Sequence, residues 1–287
     1  MPKKIPLIPI EICGVDFTSR PSARKAITVA RGVLEMGAFR LRGVQRMSSF
    51  EAFDAFLREV GPWIAGFDFP FGLPRDFCAE LGWLDAGASW GSVAEKLAAI
   101  SREQLTHHCR AYCNARPAGS KFAHRAADRL AGSSPSMKWV NPPVAYMLQE
   151  GAPRLLAAGV HIPGQHAGDI ARIALEAYPG FLVRAITRAP YKNDRRAKQT
   201  PALATVRQQI IAALVSGAYS LAIPLVASRS VLDEMQGDAT ADTLDAVLCA
   251  LQAAWGWQRR EQNFGLPLAM DALEGWIVTV QRPPGHG

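Results

Sequence analysis

Residues 63–74 read Trp63-Ile64-Ala65-Gly66-Phe67-Asp68-Phe69-Pro70-Phe71-Gly72-Leu73-Pro74, and this stretch decides how the rest of the chain is read. A short apolar run cut off by Pro70, Gly72 and Pro74 has the character of a buried strand. Asp68 lies inside it. An unpaired carboxylate in such surroundings is costly, or takes up a proton. Setting it at a strand end beside a cation removes that cost. The plainer alternative is that Asp68 caps a turn, as aspartate before proline or glycine commonly does.

Upstream, Leu7–Thr18 has strand character and ends near Asp16, a second acid at the close of an apolar run, with the same two readings. Lys25–Leu34 is rich in β-branched residues. Ala38–Met47 alternates basic with apolar residues, which suits a strand with one solvated face. Ser48 and Glu51 are spaced like a capping box, predicting a helix from there to Val60. The order strand, strand, strand, helix, strand implies an α/β fold in which a mixed sheet carries helices on its faces.

Downstream, from Arg75 to about Gly168, helical stretches alternate with breaks such as Pro117-Ala118-Gly119-Ser120 and Gly132-Ser133-Ser134-Pro135. Because strand-like runs resume afterwards, this segment reads as a helical insertion (about 75–168) within a single domain spanning 1–287. Ile170–Tyr178 is the next strand; it carries Glu176 and is ended by Pro179-Gly180, with a basic loop after it. Thr200 is the expected cap of a helix with Pro201 in its first position, reaching Val215. The last helix spans about Ala241–Trp257. Asp238, Asp242 and Asp245 follow one another at spacings of four and three, along one side of a helix. Asp245 falls at the edge of the apolar stripe of Leu244, Val247, Leu248 and Leu251. Acids in a first turn also complement the helix dipole, and Asp238 reads equally as a cap.

The chain of 287 residues is long enough to bury a full core, and 49% apolar with 20% charged residues is ordinary for a folded protein. No apolar run approaches the roughly 18 residues that span a bilayer, so no membrane association is expected. The basic start, Met1-Pro2-Lys3-Lys4, leads into a stretch broken by Pro6, Pro9 and Glu11, which does not suit a secretory signal, and a cytoplasmic location is expected. Five scattered cysteines do not make a disulfide framework; Cys13 and Cys249 sit in apolar runs and read as buried thiols. His107, His108, Cys109 and Cys113, with distant His124, match no standard zinc spacing. A net charge of +7 favours an anionic partner.

Acids at three predicted strand ends and on the last helix, taken together, suit two-metal phosphoryl chemistry, in which carboxylates hold two ions roughly 4 Å apart. Hard oxygen ligands favour Mg²⁺ or Mn²⁺. Arg184, Arg188, Lys192, Arg195, Arg196 and Lys198, opposed only by Asp194, form a basic segment suited to substrate phosphate. A second basic stretch, Arg110, Arg116, Lys121, Arg125 and Arg129 with Tyr112 and Phe122 interleaved, either grips a nucleic-acid backbone or coats a helix pair.

Four segments together carry a family resemblance: Gly14-Val15-Asp16, the Gly66–Pro74 segment, Glu176-Ala177-Tyr178-Pro179, and Asp242-Thr243-Leu244-Asp245-Ala246-Val247-Leu248-Cys249-Ala250. They resemble the DUF429 family, described as predicted nucleases with a ribonuclease-H-like fold; Glu274-Gly275-Trp276-Ile277 is similar to its closing motif. The resemblance implies a five-stranded mixed sheet with helices on both faces. It also implies metal ligands at Asp16, Asp68 and Asp245, with Asp242 one turn earlier. Glu176 matches a family acid on the fifth strand, and Asp242 or Glu176 is expected to complete the metal shell or orient the attacking water beside Asp16, Asp68 and Asp245. Where the family often has histidine and a second glutamate around the proline, this chain has Tyr178 and Gly180. The function so implied is a metal-dependent nuclease with nucleic acid as partner, and a homo-oligomer is compatible with the sequence. The alternatives are a non-catalytic nucleic-acid or protein-binding module on the same frame, and an actin-like ATP-dependent phosphotransferase. The last fits less well, because Phe17-Thr18-Ser19 after Asp16 contains no glycine for a phosphate turn.

Overall fold

The computed structural model describes residues 10–282. Three strands open it, β1 (Glu11–Asp16), β2 (Ile27–Glu35) and β3 (Ala38–Met47), paired antiparallel in sequence order. The beginning expected for the first strand, Leu7–Pro9, and the basic Met1–Lys4 lie outside the described residues. Helix α1 (Phe50–Leu57) follows. Its cap is Ser49, whose hydroxyl accepts from the Ala52 amide at 3.3 Å, and not Ser48 as the capping-box spacing suggests. Starting one residue later sets Phe53, Phe56 and Leu57 against the sheet, and this packing decides the register. Strand β4 (Trp63–Phe67) then runs parallel to β1, with Gly14 beside Gly66.

The segment expected as a helical insertion holds α2 (Arg75–Glu80), α3 (Trp90–Ala99), α4 (Arg102–Asn114), α5 (Ala126–Ala131) and α6 (Val144–Ala158). Ser89 and Ser101 cap α3 and α4 with reciprocal boxes, Ser92 and Gln104 reaching back to the cap amides. The segment also contains β5 (Val160–His161), which the sequence reading did not foresee. After it come β6 (Asp169–Glu176), α7 (Pro179–Ile186), α8 (Pro201–Ser216), β7 (Leu225–Val226), α9 (Arg229–Gly237) and α10 (Asp242–Gln258).

The sheet is mixed and seven-stranded, in the order β5-β6-β4-β1-β2-β3-β7. This corrects the expected five strands. The two additions, β5 and β7, are two-residue edge strands, too short to show a period in sequence. A second correction concerns the start of the expected basic loop after Glu176, which is helix α7. Pro179 takes the first helical position, where its missing N–H costs nothing, and Leu182 and Val183 are buried.

Period-two alternation sends side chains of the central strands to two core layers. Ile12 and Ile64 join a layer under α10, while Cys13, Val15, Ala65 and Phe67 join one under α1 and the insertion. Cys13 and Cys249 are buried free thiols, as expected, and so are Cys78, Cys109 and Cys113. Helix α10 sits directly on the backbone of β1 and β4. A Cβ built on Gly14 would lie 2.0 Å from the Ala246 carbonyl oxygen, and one on Gly66 would lie 2.4 Å from that of Cys249. Both glycines exist for this close approach. No helix among the described residues is long and apolar enough to cross a membrane.

Candidate functional site

Asp16 and Asp68 stand two residues beyond Gly14 and Gly66, and alternation turns them to the same side of the sheet, toward α10. The Asp68 amide donates to the Val15 carbonyl at 2.9 Å, which extends the β1–β4 ladder and fixes the two acids side by side. Asp245 immediately precedes Ala246, the residue seated on Gly14, so the helix delivers it to the same place. Asp16 is 7% exposed and Asp245 is fully buried.

The electrostatics register this convergence. Loss of water around Asp16, with Asp245, Asp242 and Asp68 repelling its negative form, pushes its carboxyl well above the ordinary range. Asp68 is pushed up to about 7, chiefly by desolvation and further by Asp245 and Glu176, against the pull of Lys192 and Lys25. Asp245 is also raised by burial, although Lys192 and Tyr191 oppose the shift. Lys192 donates from Nζ to Asp245 Oδ2, and the Tyr191 hydroxyl donates to Oδ1 at 2.7 Å. Burial alone would depress the Lys192 ammonium, but attraction from Asp245, Tyr191, Asp16 and Asp68 outweighs it and raises the ammonium well above its usual value. Its side chain keeps 41% of its surface exposed. Asp242 sits at the margin, 3.2 Å from Lys25 Nζ, and Lys25 reaches Asp194 at 3.5 Å. Asp238 acts as a cap, accepting from the amides of Thr240 at 3.0 Å and Thr243 at 3.5 Å.

Glu176 has a different place. Its register partner on β4 is Phe67, one residue out of step with Asp68, so it projects toward the insertion. There Arg125 grips it through two bonds of 2.6 and 2.7 Å, and the Phe71 amide adds a third at 2.9 Å. The same guanidinium holds Asp128 at 2.8 Å and the Glu274 carbonyl at 2.9 Å. Arg125 is 1% exposed, which corrects its reading as a backbone-gripping surface cation. An arginine this deep stays only where carboxylates meet its donors. Glu274 accepts from the Arg75 and Ala126 amides, and Ile277 bridges to Glu176, so the closing motif ties α2 and α5 to the end of β6.

Of the six phosphate candidates, Lys192 alone joins the acid cluster. Arg184 is committed to the Ala131 carbonyl and the Tyr178 hydroxyl. Arg188, Arg195, Arg196 and Lys198 are exposed, and none makes a side-chain bond among the described residues. In the insertion, Arg116 lies over the Tyr112 ring at 3.2 Å and pairs with Glu80, while Arg110 is exposed. Sequence reasoning missed Tyr191, Lys25 and the Arg125–Asp128 pair. The pair had a signal in its i, i+3 spacing, and Tyr191 had one as an aromatic residue between Pro190 and a basic run.

Asp16, Asp68 and Asp245 offer hard oxygen donors whose mutual repulsion asks for positive charge, which is the chemistry of a divalent-cation site. Among the described residues, however, no three His, Cys, Asp or Glu side chains close around one point as they stand. Lys192 supplies the positive charge there. The fold and this edge define an α/β protein with a mixed, helix-flanked sheet and a carboxylate–lysine cluster where strand ends meet the last helix. The DUF429 family model, a protein family of unknown function, matches residues 14–262, and the chain belongs to that family. No curated protein and no solved structure gives a match to the chain.

Proposed function

We propose that the protein is a metal-dependent nuclease on a ribonuclease-H-like frame. The single observation carrying this reading is the convergence of Asp16, Asp68 and Asp245 at one buried edge, where Asp245 raises the proton affinity of both Asp16 and Asp68, and Asp68 that of Asp16. The five long strands of the sheet and the helices on both faces support the frame. Carboxylates that repel one another across a short distance draw a divalent cation between them. Mg²⁺ or Mn²⁺ held by the three aspartates would supply an activated water and stabilise the leaving oxygen of a phosphodiester.

The chain's own residues then have distinct tasks. Asp16, Asp68 and Asp245 hold the ion, and Asp242, steadied by Lys25, completes the negative rim. Lys192 leaves Asp245 and turns to the substrate phosphate; a lysine suits this exchange because it is a point charge on a flexible stem. Glu176, with both oxygens engaged, is a positioning residue that fixes the end of β6. Arg188, Arg195, Arg196 and Lys198 offer unpaired charge to the phosphate backbone. A groove of about 590 Å³, lined by Arg20, Arg102, Glu103 and Arg110, begins at Ser19, three residues after Asp16.

The test is cleavage of single- and double-stranded nucleic acid with Mn²⁺. Activity is expected in the wild type and is expected to disappear in Asp16→Asn and Asp68→Asn; cleavage unchanged in both variants removes the proposal. The Lys192–Asp245 pair favours a second reading, a binding module whose acids are neutralised internally. That reading predicts binding that needs no metal, weakens steeply with salt and gives no turnover.

A further inference from the structure

A cleft of about 270 Å³ lies beside the carboxylate cluster and shares Asp68 and Lys192 with it. Its walls are apolar: Phe69 and Pro70 after β4, both buried, Val144 and Met147 from the first turn of α6, and Tyr178 after β6, whose half-buried ring is the flat wall. The other charged groups lining it are Arg125, Asp128 and Glu176, and these are already bonded to one another. The interior therefore has no free charge to offer, and the occupant's body must be neutral. Two hydroxyls remain. Ser133 donates to Asp128 at 3.1 Å and keeps its acceptor capacity, while Ser134 makes no side-chain bond among the described residues.

On the cleft's shared boundary Lys192, with 41% of its side chain exposed, offers a cation to an anionic group. An occupant spanning both places is a small, neutral, planar body with hydrogen-bonding edges, joined to an anionic group. We infer that this cleft receives one unstacked nucleobase of a single-stranded or frayed nucleic acid, with the adjoining phosphate at Lys192. The volume admits one ring system and not a stacked duplex, and the Tyr178 ring holds a base of any sequence through its face. The inference rests on the nuclease reading for the identity of the anion, and deepens it by naming a base-bearing single strand as substrate.

The test measures binding, so that it stands apart from turnover. In the Asp16→Asn full-length protein with Mg²⁺, affinities are compared for a short thymidine strand, an abasic strand of equal length and a blunt duplex, with strand integrity checked on a gel. The thymidine strand is expected to bind about tenfold more tightly than the abasic one, and more tightly than the duplex. Ser134→Trp and Val144→Trp fill the cleft from two separate elements. In whichever of them melts like the parent, the preference for bases should vanish while abasic affinity stays unchanged. Equal affinity for base-bearing and abasic strands, binding of neither strand, or a preference that survives in a folded cleft-filling variant overturns the inference. A base preference in a protein whose wild type never cleaves with Mn²⁺ would instead sink the nuclease reading and leave the cleft standing.

Discussion

Two sets of carboxylates occupy the same edge of the sheet and are neutralised in opposite ways. Glu176 and Asp128 are closed by Arg125, a rigid fork 1% exposed, with the Phe71 amide and the Ser133 hydroxyl taking further lone pairs. Asp16, Asp68 and Asp245 share Lys192, a single point charge on a half-exposed stem. The first set is finished: each carboxylate has its partners, and an added ion has no oxygen to claim. The second remains short of positive charge. Position at a strand end therefore does not decide whether an acid is closed off; the identity and exposure of its counter-ion do.

Breaking the closed set should have the largest effect. Arg125→Met strands Glu176 and Asp128 without their cation, and a loss of about 3–5 kcal/mol in denaturant unfolding is expected. Adding Glu176→Gln should recover part of that loss. If Arg125→Met alone unfolds like wild type, the closed set is not structural.

In the open set, the removal of charge should stabilise. The Asp68 carboxyl sits at about 7 in the metal-free folded protein, against roughly 4 for an unfolded aspartate. Between those values the folded state binds more protons, so stability falls as pH rises from about 4 to 7 and stays reduced above. Asp68→Asn is expected to flatten that slope and raise stability at pH 8, by at most a few kcal/mol. Thermal melts across pH 4–8 decide it; parallel slopes for the two proteins would contradict the assignment.

Lys192→Met sharpens the contrast further. It frees Asp245 from its internal cation, and Mn²⁺ affinity in calorimetry is expected to rise about tenfold, as for a neighbouring charge that shifts a pKa by about one unit. Cleavage should fall at the same time, because phosphate loses a partner. Weaker Mn²⁺ binding would mean that Lys192 is not a competitor for the site. Tyr191→Phe is the mildest change. Loss of its bond to Asp245 should cost about 1 kcal/mol and move the Asp245 carboxyl further up, visible in a carboxylate-resolved NMR titration.

Much of this frame was legible before any coordinates, because its signals are local. The bounds read from alternation, Ala38–Met47, are those of β3, and Thr200-Pro201 marked the start of α8. Asp16, Asp68 and Asp245 were selected from apolar surroundings and from position on a helix, and the fold brings them together. What escaped depends on pairing across distance. Arg125 and Glu176 are 51 positions apart with the insertion's last helix between them, so neither residue announces the other. The opposite projection of Glu176 was in principle available by counting alternate residues, but that count needs the β4–β6 register, which only the paired strands supply. Helix α7 was hidden by its basic flank, and β5 and β7 by their brevity.

The seating of α10 on Gly14 and Gly66 has an evolutionary corollary. Since main chain meets main chain there, the gauge between the strand-borne acids and the helix-borne one does not depend on which apolar residues fill either core layer. Those fillings can therefore change without moving the acids. A single methyl at position 14 or 66 would instead shift the entire helix and every acid it carries.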